Sequence, residues 1–432
     1  MSDRSILRAF GVRIIAVLLL ILLLFICFRS IENHEPIADE RFHLDQIFQF
    51  SQGHFAIQPT VTQIPGYHAI VAAEFFLLQR GDMHEVFLDT IRLCSFILSL
   101  ATIVAFFACA LSICGKDAWR RILLFVFFPI LFPLFFLLYT DVAALGIFLL
   151  GLFFVLRQRS TLGLLVGSLS ILVRQTSIVW VFFLALSVIM NDLHESPLPM
   201  KRIPGWGFVE ISCNREGLKR IWSRHRSVIL MTTGIAVAFF LFMLVNGGIA
   251  VQDKHSHPVG VYMGNIWLTL FLFFLLFLPL HVANAQAMGK VLLRHPLASA
   301  LCAGAIALLV VVTFNNFHPN NHVSFFLRNR IVTAFSASIA MKLLFSLPIM
   351  LAVLSLAVTR LRSKPAYLLY PMTVLCLLPS WLIEERYALI PFVLFLLFIE
   401  RQKPWVEYSL LAFWILLSAV FFWGIRADMF FL

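Results

Sequence analysis

The chain has 432 residues, of which 61% are hydrophobic and only 13% charged, with 46 phenylalanines and a mean hydropathy of +0.93. A soluble domain is nearer half apolar and a quarter charged, and surface-to-volume scaling leaves no interior large enough to hide this excess. A water-soluble globule is therefore excluded, and the net charge of +11 reads as Lys and Arg retained in cytoplasmic loops rather than as a nucleic-acid footprint.

The first apolar run, 11–28, follows Arg4, Arg8 and Arg13. Arg29-Ser30-Ile31-Glu32 stands where a small-residue cleavage site would be, so the run is expected to be a signal anchor with its basic end inside. That puts 29–87 outside, as a first lumenal or periplasmic loop. Within it, 64–79 is short for a crossing, opens on Pro65-Gly66 and carries Glu74. It is expected to be an interfacial or re-entrant helix. Were it a full span, the basic loop 191–226, with Lys201, Arg202, Arg215, Lys219, Arg220, Arg224 and Arg226, would fall outside.

Further spans are expected at 88–114, 121–138, 141–156, 161–174, 177–190, 228–246, 264–284, 297–314, 335–357, 366–383, 386–399 and 405–424. With the first they make an all-α polytopic membrane protein of about thirteen helices in one domain, 1–432. The basic loops 157–159, 290–294, 360–364 and 401–403 fall on the inside in the same register. Loop 191–226 reads as a cytoplasmic connector with a short amphipathic helix near 215–226. The seven cysteines show no CxxC or Cys/His spacing, which gives no zinc site and no disulfide framework.

This topology gathers five polar clusters on the outer side. They are Asp39-Glu40-Arg41-Phe42-His43, Tyr139-Thr140-Asp141, Asp253-Lys254-His255-Ser256-His257, His318-Pro319-Asn320-Asn321-His322 and Glu384-Glu385-Arg386-Tyr387. Ionisable groups at membrane depth are costly and line cavities or pair with one another. After Asp39-Glu40, the spacing of Phe42, Ile47 and Phe50 suits an interfacial helix. Such a helix would hold a carboxylate near the bilayer surface, placed to deprotonate a sugar hydroxyl; a solvated acidic loop is the plainer alternative. Asp141 is either a helix-end carboxylate or a site residue. Arg174-Gln175-Thr176 is either a hairpin turn or a phosphate binder, through the planar fork of the guanidinium. His255 and His257 alone do not make a metal site.

On these residues the chain resembles the dolichyl-phosphate-glucose-dependent α-1,2-glucosyltransferase family, which adds the last glucose to the lipid-linked oligosaccharide of N-glycosylation. Asp39-Glu40-Arg41-Phe42-His43 is similar to its acidic first-loop motif, followed by Gln49, Gly53-His54-Phe55 and the stretch Pro59 to Tyr67. Tyr139-Thr140-Asp141 and Arg174-Gln175-Thr176-Ser177-Ile178-Val179-Trp180 resemble two further motifs, with Ser177 in place of an Asn. Asp253-Lys254 with His257, and Glu385-Arg386-Tyr387 before Pro391, resemble the last two. Ile57-Gln58 stands where the family has Trp-Asp.

The resemblance implies an inverting glycosyltransferase of the GT-C type. Its donor would be a polyprenyl (dolichyl) phosphate glucose and its acceptor a glycan, lipid-linked, with no cofactor and no metal. It implies Asp39 as general base with Glu40 its closest rival, and Asp141 positioning the acceptor or holding cationic partners. Arg174, Lys254 and Arg386 would bind the donor phosphate. His43, Tyr139, Gln175, Asp253, His257, His318 and Glu385 would contact acceptor or sugar. The implied location is the endoplasmic reticulum membrane in a eukaryote, or the inner membrane in a bacterium, with the N-terminus cytoplasmic and the site outside. A lipid-linked sugar flippase or transporter is the alternative, although no repeated halves are visible.

Overall fold

The computed structural model describes residues 3–78, 88–195, 215–256, 258 and 260–432. Among them the chain forms seventeen α-helices: α1 Asp3–Ile31, α2 Glu40–Ser51, α3 Gly66–Leu78, α4 Leu88–Cys114, α5 Ala118–Val126, α6 Thr140–Leu156, α7 Ser160–Ser168, α8 Ser177–Glu195, α9 Arg215–Asn246, α10 Gly264–Leu276, α11 Leu278–Arg294, α12 Pro296–Thr313, α13 Leu327–Ser336, α14 Ile339–Val358, α15 Leu369–Leu377, α16 Leu389–Phe398 and α17 Pro404–Arg426. The only β-type pairing among the described residues is two isolated bridges, Phe326 with Phe431 and Leu361 with Ile399.

Five described helical segments are long and apolar enough to cross a bilayer: Leu88–Val126, Lys219–Asn246, Pro296–Thr313, Ile339–Val358 and Pro404–Arg426. The pair α10 and α11, bent by 94° at its break, makes a sixth candidate. The protein is an integral membrane protein. Among the shorter apolar helices, α3 and α6 pack against α4, and α8 against α9.

Several expected spans are broken. The run 121–138 does not continue as one helix: α5 ends at Val126, and 127–139 passes through the interior as turns and one 3-10 turn, Pro133–Phe136. Pro129 and Pro133 lack the N–H that a helix needs and force the departure. Non-helical backbone at membrane depth is tolerated only where protein surrounds it, and every residue from Val126 to Asp141 is buried. Its polar groups find partners: Ser418 Oγ donates to the Phe127 carbonyl at 2.9 Å and Ser95 Oγ to that of Leu137 at 3.0 Å. Likewise 264–284 breaks at Phe277, just before Pro279.

The segment expected as the first outer loop also differs in detail. On α2 the buried face carries Glu40, His43, Gln46, Ile47 and Ser51, while Phe42 is exposed. The polar side of this helix thus faces the protein, and Phe42 looks outward. The stretch expected as a short helix near 215–226 is the beginning of α9, which departs from helical geometry at His225.

The core is aromatic. Phe106 stacks on Phe125 with ring centroids 4.0 Å apart, and Trp414, completely buried, donates its indole N–H to the Leu276 carbonyl at 2.8 Å. Glycine sets one close approach. A Cβ on Gly151 of α6 would meet Gly167 Cα at 2.7 Å and the Gly163 carbonyl oxygen at 2.8 Å, both on α7. Small residues at such spacing let membrane helices touch backbone to backbone. This hairpin brings the start of α6, with Asp141, next to Arg174, which follows α7.

Candidate active site

Residues far apart in the sequence converge on one buried chain of charges. Asp141, in the first turn of α6, pairs through Oδ1 with an Nη1 hydrogen of Arg174. Its Oδ2 lies 3.7 Å from Arg386 Nη1 and makes no hydrogen bond. Arg386 reaches Asp39 Oδ2 with Nη2 at 3.0 Å and Glu384 Oε1 with Nε at 2.7 Å. Arg328 Nη1 lies 2.9 Å from the same Glu384 oxygen and 3.3 Å from Glu385 Oε2. The guanidinium of Arg386 covers the Tyr139 ring at 4.8 Å, and that of Arg174 the Tyr387 ring at 5.5 Å. Cations over aromatic faces are attracted by the ring quadrupole, more so where water is excluded.

Burial separates the carboxylates. The side chains of Asp141 and Glu384 are 4% and 1% exposed, whereas that of Asp39 is 39% exposed. Glu40 is completely buried, and four donors reach its two oxygens: Ile37 N at 2.9 Å, Leu138 N at 2.8 Å, and Arg92 at 3.1 and 2.6 Å. Of the two adjacent carboxylates, Asp39 is the accessible one.

The segment holding Glu384 to Arg386 is pinned by asparagines. Asn265 donates to the Ser380 and Leu382 carbonyls at 2.9 and 2.8 Å and accepts from Glu384 N at 2.8 Å. Asn321 exchanges two hydrogen bonds with the Ile383 backbone at 2.8 and 3.1 Å.

A cavity of about 150 Å³ adjoins this chain of charges. Thr62, Gln63 and Arg174 supply polar lining, and Ile178, Val179 and Phe239 supply apolar lining from α8 and α9. Gln175 Nε2 donates to the Thr62 and Ile249 carbonyls at 3.0 and 3.1 Å, tying the loop between α2 and α3 to the loop after α9. Lys254 lies on that second loop, exposed, with Nζ on the Asn246 carbonyl. Asp253 occupies the left-handed region at φ 44° beside it. His257 lies outside the described residues. His318 is buried, accepts from Asn320 N at 3.1 Å and packs edge-on to Trp381.

His43 Nδ1 lies 2.9 Å from His68 Nε2. Burial, then the charges of Arg386 and Arg174, push His43 down to about 3, so it is neutral. An unfolded chain binds a proton here near pH 6.5 and the folded one does not, so the folded state loses stability as pH falls from about 6.5 toward 3. His43→Gln cannot acquire the charge. Thermal unfolding in detergent is expected to depend less steeply on pH over this window in that variant; an unchanged slope would place the proton uptake elsewhere.

Sequence reading missed Arg92, Arg328 and Asn265, and with them Asn329, which donates to the Asn320 and Val323 carbonyls at 2.7 and 2.9 Å. Arg92 carried a usable signal, since a lone cation inside the apolar run 88–114 requires a buried partner. The asparagines carried none.

Residues 33–397 match the profile of the DIE2/ALG10 family. The Dol-P-Glc:Glc(2)Man(9)GlcNAc(2)-PP-Dol alpha-1,2-glucosyltransferase of Candida albicans is 23% identical over 424 residues, covering 91% of each chain. The Arabidopsis thaliana protein of the same name is 25% identical over 472 residues, covering 90% of this chain and 91% of its own. A Homo sapiens counterpart is 23% identical over 445 residues, covering 91% and 92%. No solved structure matches. With the profile match spanning most of its length, the chain belongs to the DIE2/ALG10 family.

Proposed function

We propose that Asp39, Asp141, Arg174 and Arg386 form the reaction centre of a membrane-embedded inverting glucosyltransferase. The protein is a dolichyl-phosphate-glucose-dependent α-1,2-glucosyltransferase acting on a lipid-linked oligosaccharide, which the activity named for its relatives supports. Their acceptor is Glc(2)Man(9)GlcNAc(2)-PP-Dol. One observation carries the assignment of the centre: Asp141 lies between two arginines, and the second of them touches the accessible Asp39.

The chemistry follows from that arrangement. The acceptor hydroxyl attacks the anomeric carbon as the bond to the phosphate oxygen breaks. Asp39 takes the hydroxyl proton, and dolichyl phosphate departs. A phosphate leaving group needs charge stabilisation more than a proton, and Arg174, lining a cavity with apolar walls, suits a phosphate carried on an isoprenoid. Arg386 completes the cationic pair, and Asp141 orients both arginines. Lys254 is assigned to the incoming headgroup at the rim. Tyr139 and Glu385 hold Arg386 and its segment; Gln175, His43, Asp253 and His318 shape the walls around the sugar.

Purified protein given labelled dolichyl-phosphate glucose and the Glc(2)Man(9) lipid-linked acceptor is expected to yield an α-1,2-glucoside. Movement of the donor across vesicles without transfer would favour the flippase reading instead.

The same reading includes a GT-C-type bundle of about thirteen spans. In it α3 is re-entrant, the N-terminus and loop 191–226 are cytoplasmic, and 29–87 faces the lumen of the endoplasmic reticulum. Thr60 and Ser223 are both exposed and serve as single-cysteine sites in a cysteine-free background. An impermeant thiol reagent is expected to label Thr60→Cys only from the lumenal side and Ser223→Cys only from the cytoplasmic side. Labelling of both from one side would sink the topology.

A further inference from the structure

Arg92 of α4 is completely buried and is not used by the reaction centre described above. Its guanidinium makes six hydrogen bonds: Nε and Nη2 to the two oxygens of Glu40, Nη1 to the carbonyls of Ile31, Glu32 and His34, and Nη2 to that of Glu35. The shortest are 2.6 Å, to Glu40 Oε2 and to the His34 oxygen. One side chain thus gathers the last carbonyl of α1, those of the turn behind it and the carboxylate of the first residue of α2. Glu40 extends the network by accepting from Ile37 N and Leu138 N.

Asp39 sits inside this frame. The residue before it, Ala38, is held at φ 52°, a left-handed conformation that a side-chain-bearing residue adopts at a cost. Such a conformation persists only where surrounding contacts over-determine it, and Glu40 supplies one on the N-terminal side of Ala38, accepting from Ile37 N at 2.9 Å. The Asp39 N–H donates to Tyr139 Oη at 3.3 Å, and Tyr139 follows directly on Leu138, whose N–H Glu40 holds. The pair therefore fixes the backbone of Asp39 and the segment that leads into Asp141 as one unit.

We infer that Arg92 and Glu40 are the positioning pair of the transfer reaction: together they hold the Asp39 carboxylate in register with Asp141 and Arg386, without touching substrate. This rests on the reading of Asp39 as the base. A planar five-donor fork is required to reach a carboxylate and several carbonyls at once, and lysine, a point charge with three donors, cannot replace it. Small displacements of a reacting group are costly in rate, so the loss falls on turnover rather than on donor affinity.

The test is a double-mutant cycle in the full-length chain, comparing Arg92→Lys, Asp39→Asn and the double variant. Arg92→Lys alone is expected to lower kcat roughly 10–100-fold with donor KM within about twofold. In the Asp39→Asn background the same change is expected to cost little further, because the group it positions is already disabled. Should Arg92→Lys not accumulate as folded protein, Glu40→Asp, which shortens the reach, is read in the same two backgrounds. Undiminished kcat in the single variant, or an equal fall in both backgrounds, overturns the proposal. Failure of the underlying reading shows separately: Asp39→Asn alone would then retain turnover.

Discussion

Asp39→Asn is expected to lower glucose transfer by about 10²–10⁴-fold, the usual contribution of a general base, while donor binding survives. The substitution is close to isosteric and keeps an oxygen facing Arg386 Nη2, now 3.0 Å from Asp39 Oδ2, but the amide accepts no proton. Glu40→Gln makes the contrast. Each Glu40 oxygen accepts from one backbone N–H and from Arg92, so an amide nitrogen in either place opposes donors with a donor. That change is expected to lower stability, and turnover through displacement of its neighbour, without abolishing base chemistry. Single-turnover transfer with labelled donor, alongside a separate donor-binding measurement, separates the two effects. Near-normal turnover in folded Asp39→Asn with a dead Glu40→Gln would exchange their roles, despite the burial of Glu40. If both remain active, Asp141 is the next carboxylate to test.

What the sequence makes legible follows from what each property depends on. Membrane class depends on composition and is open to inspection. The polar clusters around Asp39, Asp141 and Arg386, and Arg174 between two apolar runs, are conspicuous because charge inside apolar sequence is costly and has to be answered by a partner. Which partner answers depends on tertiary packing: Asp39 and Arg386 are 347 positions apart, and no periodicity links them. The same limit hides Asn265, and hides the partner of Asn321 within its polar cluster, until the Ser380–Arg386 segment is laid against them. Two expectations fail for different reasons, one through prolines inside an apolar run and one through a polar helix face that is buried. Pro129 and Pro133 turn 127–139 out of a helix, and Phe42 points outward because α2 buries Glu40 and His43. A buried polar face is legible only once its partners are known.

Arg174→Lys is expected to raise donor KM roughly 10–100-fold while leaving the thermal midpoint in detergent nearly unchanged. Arg174 has two tasks in the structure. It answers one oxygen of the buried Asp141 carboxylate and it lines the cavity that adjoins Gln63, Ile178 and Phe239. Lysine retains the positive charge that Asp141 requires, so an uncompensated buried carboxylate, with its several-kcal/mol penalty, is avoided. What lysine gives up is the planar fork that can grip Asp141 with one edge and a phosphate with the other. Charge-assisted hydrogen bonds contribute about 1.5–3 kcal/mol, which corresponds to roughly 10–100-fold in affinity. Arg174→Ala tests the first task instead: Asp141 then keeps only Arg386, 3.7 Å away, and both stability and turnover are expected to fall. A folded lysine variant with unchanged donor KM would confine Arg174 to holding Asp141, and the donor phosphate would then be left to Arg386 and Lys254.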